Sequence, residues 1–315
     1  MSLIQLQKVS PIPDLSDDYS LIAKSVANDG SLLFLFVERA GKNAVAETFR
    51  SGIGTFPRKK MAVPKGFCLI RAVSGSTETI DLPALDVTFP QVDIFPDGRI
   101  LLVGPRCAWR GENDYDLNGI VIDPRSGRST RILLGDGISS AQVDNLGRIW
   151  VSYIDEGIFG NFGWGHPGPA PIGLAGLVCF ADSGEKIWEY PHHTHDAITD
   201  CYALNISGSG AAIFLYTDFP VCRISSDFKL EYWKTKLSGC HQFAISERKV
   251  LLSGQYGDAQ DAAYLGNLDA GQLVDTEKVR LVMPDGSDIP EGRLIGRGNH
   301  LYFFDASDVY RVSLE

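Results

Sequence analysis

An apolar, strand-like segment that recurs six times along the chain is the feature that most constrains its fold. Each copy is a short run dominated by Val, Ile, Leu, Phe or Tyr, which is typical of strands buried on both faces. The copies lie at residues 32–36, 100–103, 149–153, 213–216, 250–253 and 301–304. A tight turn precedes most of them, as at residues 96–99 (Pro-Asp-Gly-Arg), where Gly tolerates a positive φ. This pattern predicts a fold built from repeated hairpins.

The repeated unit contains four strands. One strand precedes each turn, and a variable loop leads from the apolar strand to a second hairpin, clearest at residues 119–127 and 176–184. Six such units of about 40 to 70 residues predict an all-β chain that forms a six-bladed β-propeller of four-stranded blades. We expect a single domain over residues 1–315. Its blades are predicted at residues 19–83, 87–134, 138–191, 198–236, 239–284 and 291–313.

The last unit ends after its third strand, near residue 312. Residues 3–9 are predicted to supply the missing outer strand, because this pairing would leave no free sheet edge at the junction of the chain ends. The segment 48–79 is hard to divide into strands. Five or seven blades therefore remain alternatives.

Composition limits the partners. The net charge of -10 opposes binding to nucleic acid, and the basic run at residues 58–60 is interpreted as a solvated loop tip. No apolar stretch is long enough to cross a membrane, and the first residues do not resemble a signal peptide. The six cysteines form no Cys-x-x-Cys pair and mostly lie in apolar segments. Buried free thiols in a reducing, cytoplasmic setting are therefore expected.

Length variation concentrates in the loops that leave the second strand and enter the first strand of each unit, which meet at one face of a propeller. Long loops on a rigid scaffold often carry function. Trp109 and Trp164 would stack on a sugar or peptide there, and Arg106 would pair with a carboxylate. The alternative is a loop folded on its own aromatic side chains. The predicted ligand-binding residues on this face are Gln91, Arg106, Trp109, Gln142, Trp164, Tyr202, His241 and Arg293.

Two further groups suggest a divalent metal. Three histidines fall within residues 192–195, and imidazoles next to a carboxylate suit zinc. Carboxylates also recur at the ends of the apolar strands, and converging carboxylates suit calcium or supply a general base. The alternatives are a polar loop and acids that cap turns. The predicted metal ligands are Glu38, Asp155, Asp218, Asp305, His193 and His195, with calcium or zinc as the possible ion.

The turns at residues 95–100 and 144–151, with the hairpins at 123–127 and 181–184, resemble those of the gluconolactonase and regucalcin family and of NHL-repeat proteins. The resemblance implies a six-bladed propeller and, for the lactonases, a divalent metal in the central channel. A Glu followed by Gly-Pro supplies the usual first ligand in that family. The corresponding residues 18–21 read Asp-Tyr-Ser-Leu here, so the resemblance transfers no ligand.

Three functions fit these observations. The first is a propeller that binds a small polar molecule or a peptide on its loop-rich face. The second is a metal-dependent hydrolase of the lactonase or esterase type, with its site at the channel mouth. The third is a non-catalytic scaffold for protein partners. Whether the chain is an enzyme stays open at this level.

Overall fold

The computed structural model describes residues 1–52, 54–191 and 197–315. The chain divides into two compact units, Pro13–His193 and Met1–Ile12 with Thr194–Glu315. Helices are short in the described residues: a 3-10 turn at Arg39–Gly41, α1 at Lys42–Val45 and α2 at Asp155–Phe159. None of the described helices has the length and apolar character needed to span a membrane.

The first two strands, β1 (Ser2–Gln5) and β2 (Gln7–Pro11), belong to the unit that contains the C-terminus. The other unit holds three antiparallel sheets, which we call blades 1, 2 and 3 in chain order. Blade 1 consists of β3 (Tyr19–Val26), β4 (Leu32–Glu38), β7 (Lys60–Val73) and β8 (Ser76–Val87), with the hairpin β5 (Thr48–Ser51) and β6 (Gly54–Pro57) inserted before β7.

Blades 2 and 3 follow the same plan. Blade 2 consists of β9 (Gln91–Ile94), β10 (Ile100–Val103), β13 (Gly119–Asp123) and β14 (Arg128–Ile132), with the small hairpin β11 (Trp109–Gly111) and β12 (Asp114–Tyr115) between its second and third strands. Blade 3 consists of β15 (Ile138–Val143), β16 (Ile149–Tyr153), β17 (Leu177–Phe180) and β18 (Lys186–Glu189).

The unit that contains both chain ends holds blades 4, 5 and 6. Blade 4 consists of β19 (Asp200–Ser207), β20 (Gly210–Tyr216), β21 (Val221–Ile224) and β22 (Leu230–Trp233). Blade 5 consists of β23 (Gln242–Ile245), β24 (Lys249–Ser253), β25 (Ala262–Asp269) and β26 (Gln272–Val282). Blade 6 consists of β27 (Arg293–Arg297), β28 (His300–Phe304), β29 (Asp308–Ser313) and β2.

The predicted six-bladed β-propeller is confirmed. The apolar repeats form the second strand of each blade, and β10 and β16 are buried along their whole length, as continuous apolar runs require. Within Pro13–His193, Leu33 and Leu35 of β4 belong to the same core as Leu102 of β10. The segment 48–79 resolves into the β5–β6 hairpin, β7 and the start of β8, so it adds no blade.

The N-terminus closes blade 6 as expected, but the closing strand lies at different residues from those predicted. β2 pairs antiparallel with β29, while β1 pairs in parallel with β26 of blade 5. The closing strand is therefore Gln7–Pro11, and the predicted range 3–9 also took in part of the strand that extends blade 5. Leu6, between the two strands, is 1% exposed and packs with Phe303 and Tyr310.

Hydrogen bonds to one buried carboxylate define the turn between β15 and β16. Asp144 accepts bonds from the backbone N–H of Leu146 (2.9 Å) and Arg148 (3.0 Å) and from the indole N–H of Trp150 (2.9 Å). Gly147 follows with φ of 76°, a left-handed conformation that favours glycine. All six cysteines are free and buried, as the sequence predicts.

Candidate functional site

A pocket of about 380 Å³ lies in the Pro13–His193 unit, beside the loop that follows β10. Its charged lining comes from the start of β7, the end of β8, this loop and the end of β14. Basic groups outnumber acids in the lining. These charged residues are Lys59, Lys60, Arg106, Arg110 and Arg131, with Asp86 and Asp116.

Arg106 is the buried cation of this pocket, with an exposed fraction of only 4%. Its Nη1 lies 2.5 Å from Oε2 of Glu156, and its Nη2 lies 3.1 Å from Oδ2 of Asp136. Nevertheless, Nε and Nη2 have no hydrogen-bond acceptor of good geometry among the described residues. Buried polar groups are nearly always hydrogen-bonded, so Nε lacks the partner that such a group usually has, and Nη2 has only the ion pair with Asp136.

Asp136 is held beside Arg106 by the backbone. Its Oδ1 accepts a hydrogen bond from the Cys107 N–H at 2.7 Å. Burial raises the pKa of Asp136 to about 6, against the opposing effect of the Arg106 charge and the backbone hydrogen bonds. Asp136 and Glu156 thus place two carboxylates around the single positive charge of Arg106.

Phe162, in the loop between α2 and β17, joins three parts of the pocket wall. The centroid of its ring lies 4.5 Å from Cζ of Arg106 and 4.8 Å from Nζ of Lys59. The same ring packs on Phe49 and Phe56 of the β5–β6 hairpin, with centroids 6.1 and 6.2 Å away. Cations over the face of an aromatic ring are attracted by its quadrupole. Phe162 therefore fixes two pocket cations at once.

The glycines of this loop allow close backbone packing. Gly163 has φ of 92°, and a Cβ atom there would lie 2.0 Å from the carbonyl oxygen of Trp109. The N–H of Trp109 donates to the Phe162 carbonyl at 2.9 Å. Trp164 is 6% exposed, and its indole N–H donates to the Cys107 carbonyl at 2.9 Å. The structure thus places Trp164 inside the loop and leaves Trp109 half-buried.

The remaining pocket cations fall into two groups. Arg110 is paired with Asp114 (2.8 Å) and Asp116 (3.0 Å), and Arg131 is paired with Asp86. Lys59 and Lys60, in contrast, form no ion pair with any described residue. The charges available to a ligand are therefore these two ammonium groups.

The predicted site residues Gln91 and Gln142 lie away from this pocket. Gln91 links blades 2 and 3, because its Nε2 donates to the Ser139 carbonyl (3.1 Å) and its Oε1 accepts from the Ala141 N–H (2.8 Å). Gln142 lies on β15, with Nε2 3.4 Å from Oγ of Ser140. Neither side chain lines the pocket around Arg106.

In the other unit, the structure brings two predicted site residues together. The rings of Tyr202 and His241 are nearly parallel, at an angle of 21°, with centroids 5.3 Å apart. Tyr216, Phe219 and Tyr256 surround Tyr202. Arg293 is exposed at the start of β27, opposite Phe304.

The predicted metal ligands occupy several environments. His193 and His195 lie outside the described residues. Glu38 is exposed at the end of β4, and Asp155 is exposed in α2, where it accepts a bond from the Glu156 N–H at 2.7 Å. In the described ranges 1–52, 54–191 and 197–315, no three His, Cys, Asp or Glu side chains group so as to hold a metal ion.

Asp218 and Asp305 belong to the other unit. Asp218 is exposed in the loop after β20. Asp305 accepts bonds from the backbone N–H of Ser307 (2.7 Å) and Asp308 (2.6 Å), so it caps a turn. A metal site at these acids stays a prediction.

Sequence reasoning missed Lys59, Asp136 and Phe162 as parts of the site. Residues 58–60 were visible as a basic run, but nothing in that run indicates which loops it meets. Phe162 lies among glycines that signal tight packing, yet its contact with two cations depends on tertiary structure.

Comparison with known proteins supports the fold. No family model matches the chain, and no curated protein matches it either. Among solved structures, a virginiamycin B lyase from Staphylococcus aureus is similar over 99% of both chains, at 11% identity with a TM-score of 0.51. A regucalcin from Agrobacterium tumefaciens, described as a calcium-binding protein, is 10% identical over 100% of this chain and 96% of its own, with a TM-score of 0.49. The first of these likenesses confirms the resemblance to six-bladed propellers at the level of the fold.

Proposed function

We propose that the protein binds a small anionic molecule, one that carries a phosphate or carboxylate group, in the pocket around Arg106. The carrying observation is that Lys59 and Lys60 line this pocket without an ion pair to a described residue, next to the Arg106 guanidinium. An anionic group would pair with these ammonium groups, and charge-assisted hydrogen bonds are about twice as strong as neutral ones.

The lysines support the same ligand class. Lys59 is half-buried and Lys60 is exposed, and both line the pocket without an ion pair to a described residue. Arg110 and Arg131 add positive charge that is already paired with acids. The three arginines are thus paired with five carboxylates, and the two lysines are the cations of the lining that have no such partner among the described residues. These two ammonium groups would attract an anion although the net charge of the whole chain is -10.

The pocket size fits a small molecule. A volume of about 380 Å³ falls at the lower end of the usual range for ligand sites, roughly 300 to 1,000 Å³. Arg110, Tyr115 and Arg131 at its edge are exposed, so a ligand would enter from solvent. A metal-dependent hydrolase and a scaffold for protein partners remain the alternative functions.

Isothermal titration calorimetry with phosphate, succinate and citrate tests the proposal, with glycerol as the uncharged comparison. We expect at least one anion to bind and glycerol not to bind. The double variant Lys59→Met with Lys60→Met should weaken anion binding by roughly tenfold or more, because each hydrogen bond to a charged group contributes on the order of 1.5 to 3 kcal/mol.

Lys42→Met is the matched control, since Lys42 is an exposed lysine of the same unit that does not line the pocket. It should bind each anion as the wild type does. The proposal fails if none of the three anions binds, or if Lys42→Met weakens binding as much as the double variant.

A further inference from the structure

Five aromatic side chains form a cluster in the unit that contains blades 4, 5 and 6. Tyr202 lies near the start of β19 and Tyr216 ends β20, while Phe219 and Tyr256 follow β20 and β24 and His241 precedes β23. We call this group the aromatic cluster. None of its residues lines the pocket around Arg106, so a ligand of the cluster would bind at a different site from a ligand of that pocket.

Tyr202 is the centre of the aromatic cluster. The ring of Tyr216 lies parallel to it at 13° with centroids 6.1 Å apart, and that of His241 at 21° and 5.3 Å. Tyr256 meets it edge-on at 79°, and the two tyrosine hydroxyl groups are hydrogen-bonded to each other. The outer rings remain open to solvent, with Tyr216 41% and Tyr256 53% exposed.

The backbone fixes these exposed rings in place. Gly239 has φ of 76°, and a Cβ atom there would lie 2.4 Å from the Tyr256 ring, so only glycine lets this ring lie on the chain. Phe219 adopts φ of 54°, which is uncommon for a bulky residue, and its ring stacks on buried Phe214 at 5.6 Å. Such conformations persist where the surroundings enforce them, and they concentrate at functional sites.

Two acidic residues adjoin the cluster in the chain. Asp200 begins β19, and exposed Asp218 lies between Tyr216 and Phe219 in the chain. The hydrogen bond with Tyr256, burial and the Asp200 charge together raise the pKa of Tyr202, so its hydroxyl stays neutral at physiological pH. Electron-rich ring faces next to carboxylates favour positive ligands over negative ones.

We propose that the aromatic cluster binds an organic cation of the quaternary or methylated ammonium class at its solvent-exposed tyrosine rings, those of Tyr216 and Tyr256. Cation–π attraction to each exposed ring contributes on the order of a two- to fivefold gain in affinity, and more where water is excluded. This ligand is opposite in charge to that of the pocket around Arg106. The proposal does not depend on the anion site.

Choline and its uncharged isostere 3,3-dimethylbutan-1-ol provide the test, because they share one shape and differ in charge. Titrations followed by nuclear magnetic resonance should show choline binding at least about fivefold more tightly. Equal affinity would identify the cluster as a neutral stacking platform and overturn the proposal. Absence of choline binding at millimolar concentration would overturn it as well.

Variants locate the site. Tyr256→Leu should weaken choline binding about threefold or more, whereas Tyr256→Phe keeps the ring and should retain most of the affinity. Tyr216→Leu is a second variant in case Tyr256→Leu fails to fold. Tyr115→Leu is the matched control, because Tyr115 is equally exposed at 41% but lines the other pocket. If both leucine variants of the cluster bind choline as the wild type does, the cluster is not the site.

Different results would reject the two binding proposals. Lys59→Met with Lys60→Met should leave choline binding unchanged, since neither lysine belongs to the aromatic cluster. Tyr256→Leu should likewise leave citrate binding unchanged. A protein that binds choline but no anion would retain this inference and reject the proposed function.

Discussion

The guanidinium group of Arg106 lies over the ring of Phe162, with 4.5 Å between Cζ and the ring centroid, and Nζ of Lys59 lies 4.8 Å from the same centroid. Two cations that would repel each other thus share one aromatic partner, whose faces carry partial negative charge. The long loop between α2 and β17 has a defined role in this arrangement. It carries Phe162 to the pocket wall.

We expect Phe162→Leu to weaken anion binding about three- to tenfold, because two cation–π contacts of roughly 0.5 to 1 kcal/mol each are removed. Calorimetric titration of the anion that binds the wild type measures the effect. Phe159→Leu is the control, since Phe159 lies in α2 close to the same loop and is 67% exposed. Wild-type affinity in Phe162→Leu would show that the ring does not hold the pocket cations.

Arg106 should also contribute to stability, since its charge is buried beside two carboxylates. Arg106→Met should lower the free energy of unfolding by about 3 to 5 kcal/mol, because breaking a buried ion pair leaves an uncompensated charge. Urea unfolding followed by fluorescence measures the change. Arg131→Met removes a more exposed ion pair with Asp86 and should cost less than about 1 kcal/mol. Equal losses in the two variants would contradict the assignment of Arg106 as a buried, compensating charge.

Asp136 should make stability depend on pH in an unusual direction. Its pKa in the folded protein is about 6, raised by burial, whereas an unfolded Asp titrates near pH 4. Between these values the native state binds more protons than the unfolded state, so the Asp136 contribution to stability falls as pH rises. The loss amounts to about 2 to 3 kcal/mol and is complete above the folded pKa.

The variant Asp136→Asn isolates this effect. The unfolding free energy of Asp136→Asn minus that of the wild type should rise between pH 4 and pH 6 and stay constant above pH 7. Asp97→Asn is the contrasting control. Burial opposes ionisation of Asp97, but hydrogen bonds from Arg99 lower its pKa overall, so its contribution is lost only below about pH 4. A difference for Asp136→Asn that does not change with pH would contradict the raised pKa.

Most of the fold was predictable because its signals are local. The turn at Gly147 and the apolar strand at residues 149–153 are adjacent in the sequence, so a few residues are enough to predict this hairpin. The inserted β5–β6 hairpin was not predictable, because it pairs only with itself and breaks the spacing of the repeat. The position of Leu6 between two sheets was missed for a related reason. Parallel pairing of β1 with β26 leaves no pattern in the N-terminal sequence.

The candidate site residues also differ in whether local sequence could predict them. Arg106 and Trp164 were predicted because their loops are long and unusual in composition, and Tyr202 and His241 because they lie at or beside the starts of first strands. Asp136 was not predicted, since its contact with Arg106 crosses from one loop to the next. Tyr256 was not among the predicted site residues either, because its place beside Tyr202 depends on close packing against Gly239.

Leu6 is the buried residue between β1 and β2, and β2 closes blade 6 by pairing with β29. The Leu6 side chain is 1% exposed against Phe303 and Tyr310. Leu6→Ala removes these contacts and leaves a cavity, so the free energy of unfolding should fall by about 2 to 5 kcal/mol. Leu3→Ala tests the same substitution on β1, where the side chain is 58% exposed, and should change stability by less than about 0.5 kcal/mol. Urea unfolding of both variants decides the point, because similar losses would show that the N-terminal segment stabilises the unit through its backbone pairing and not through the Leu6 side chain.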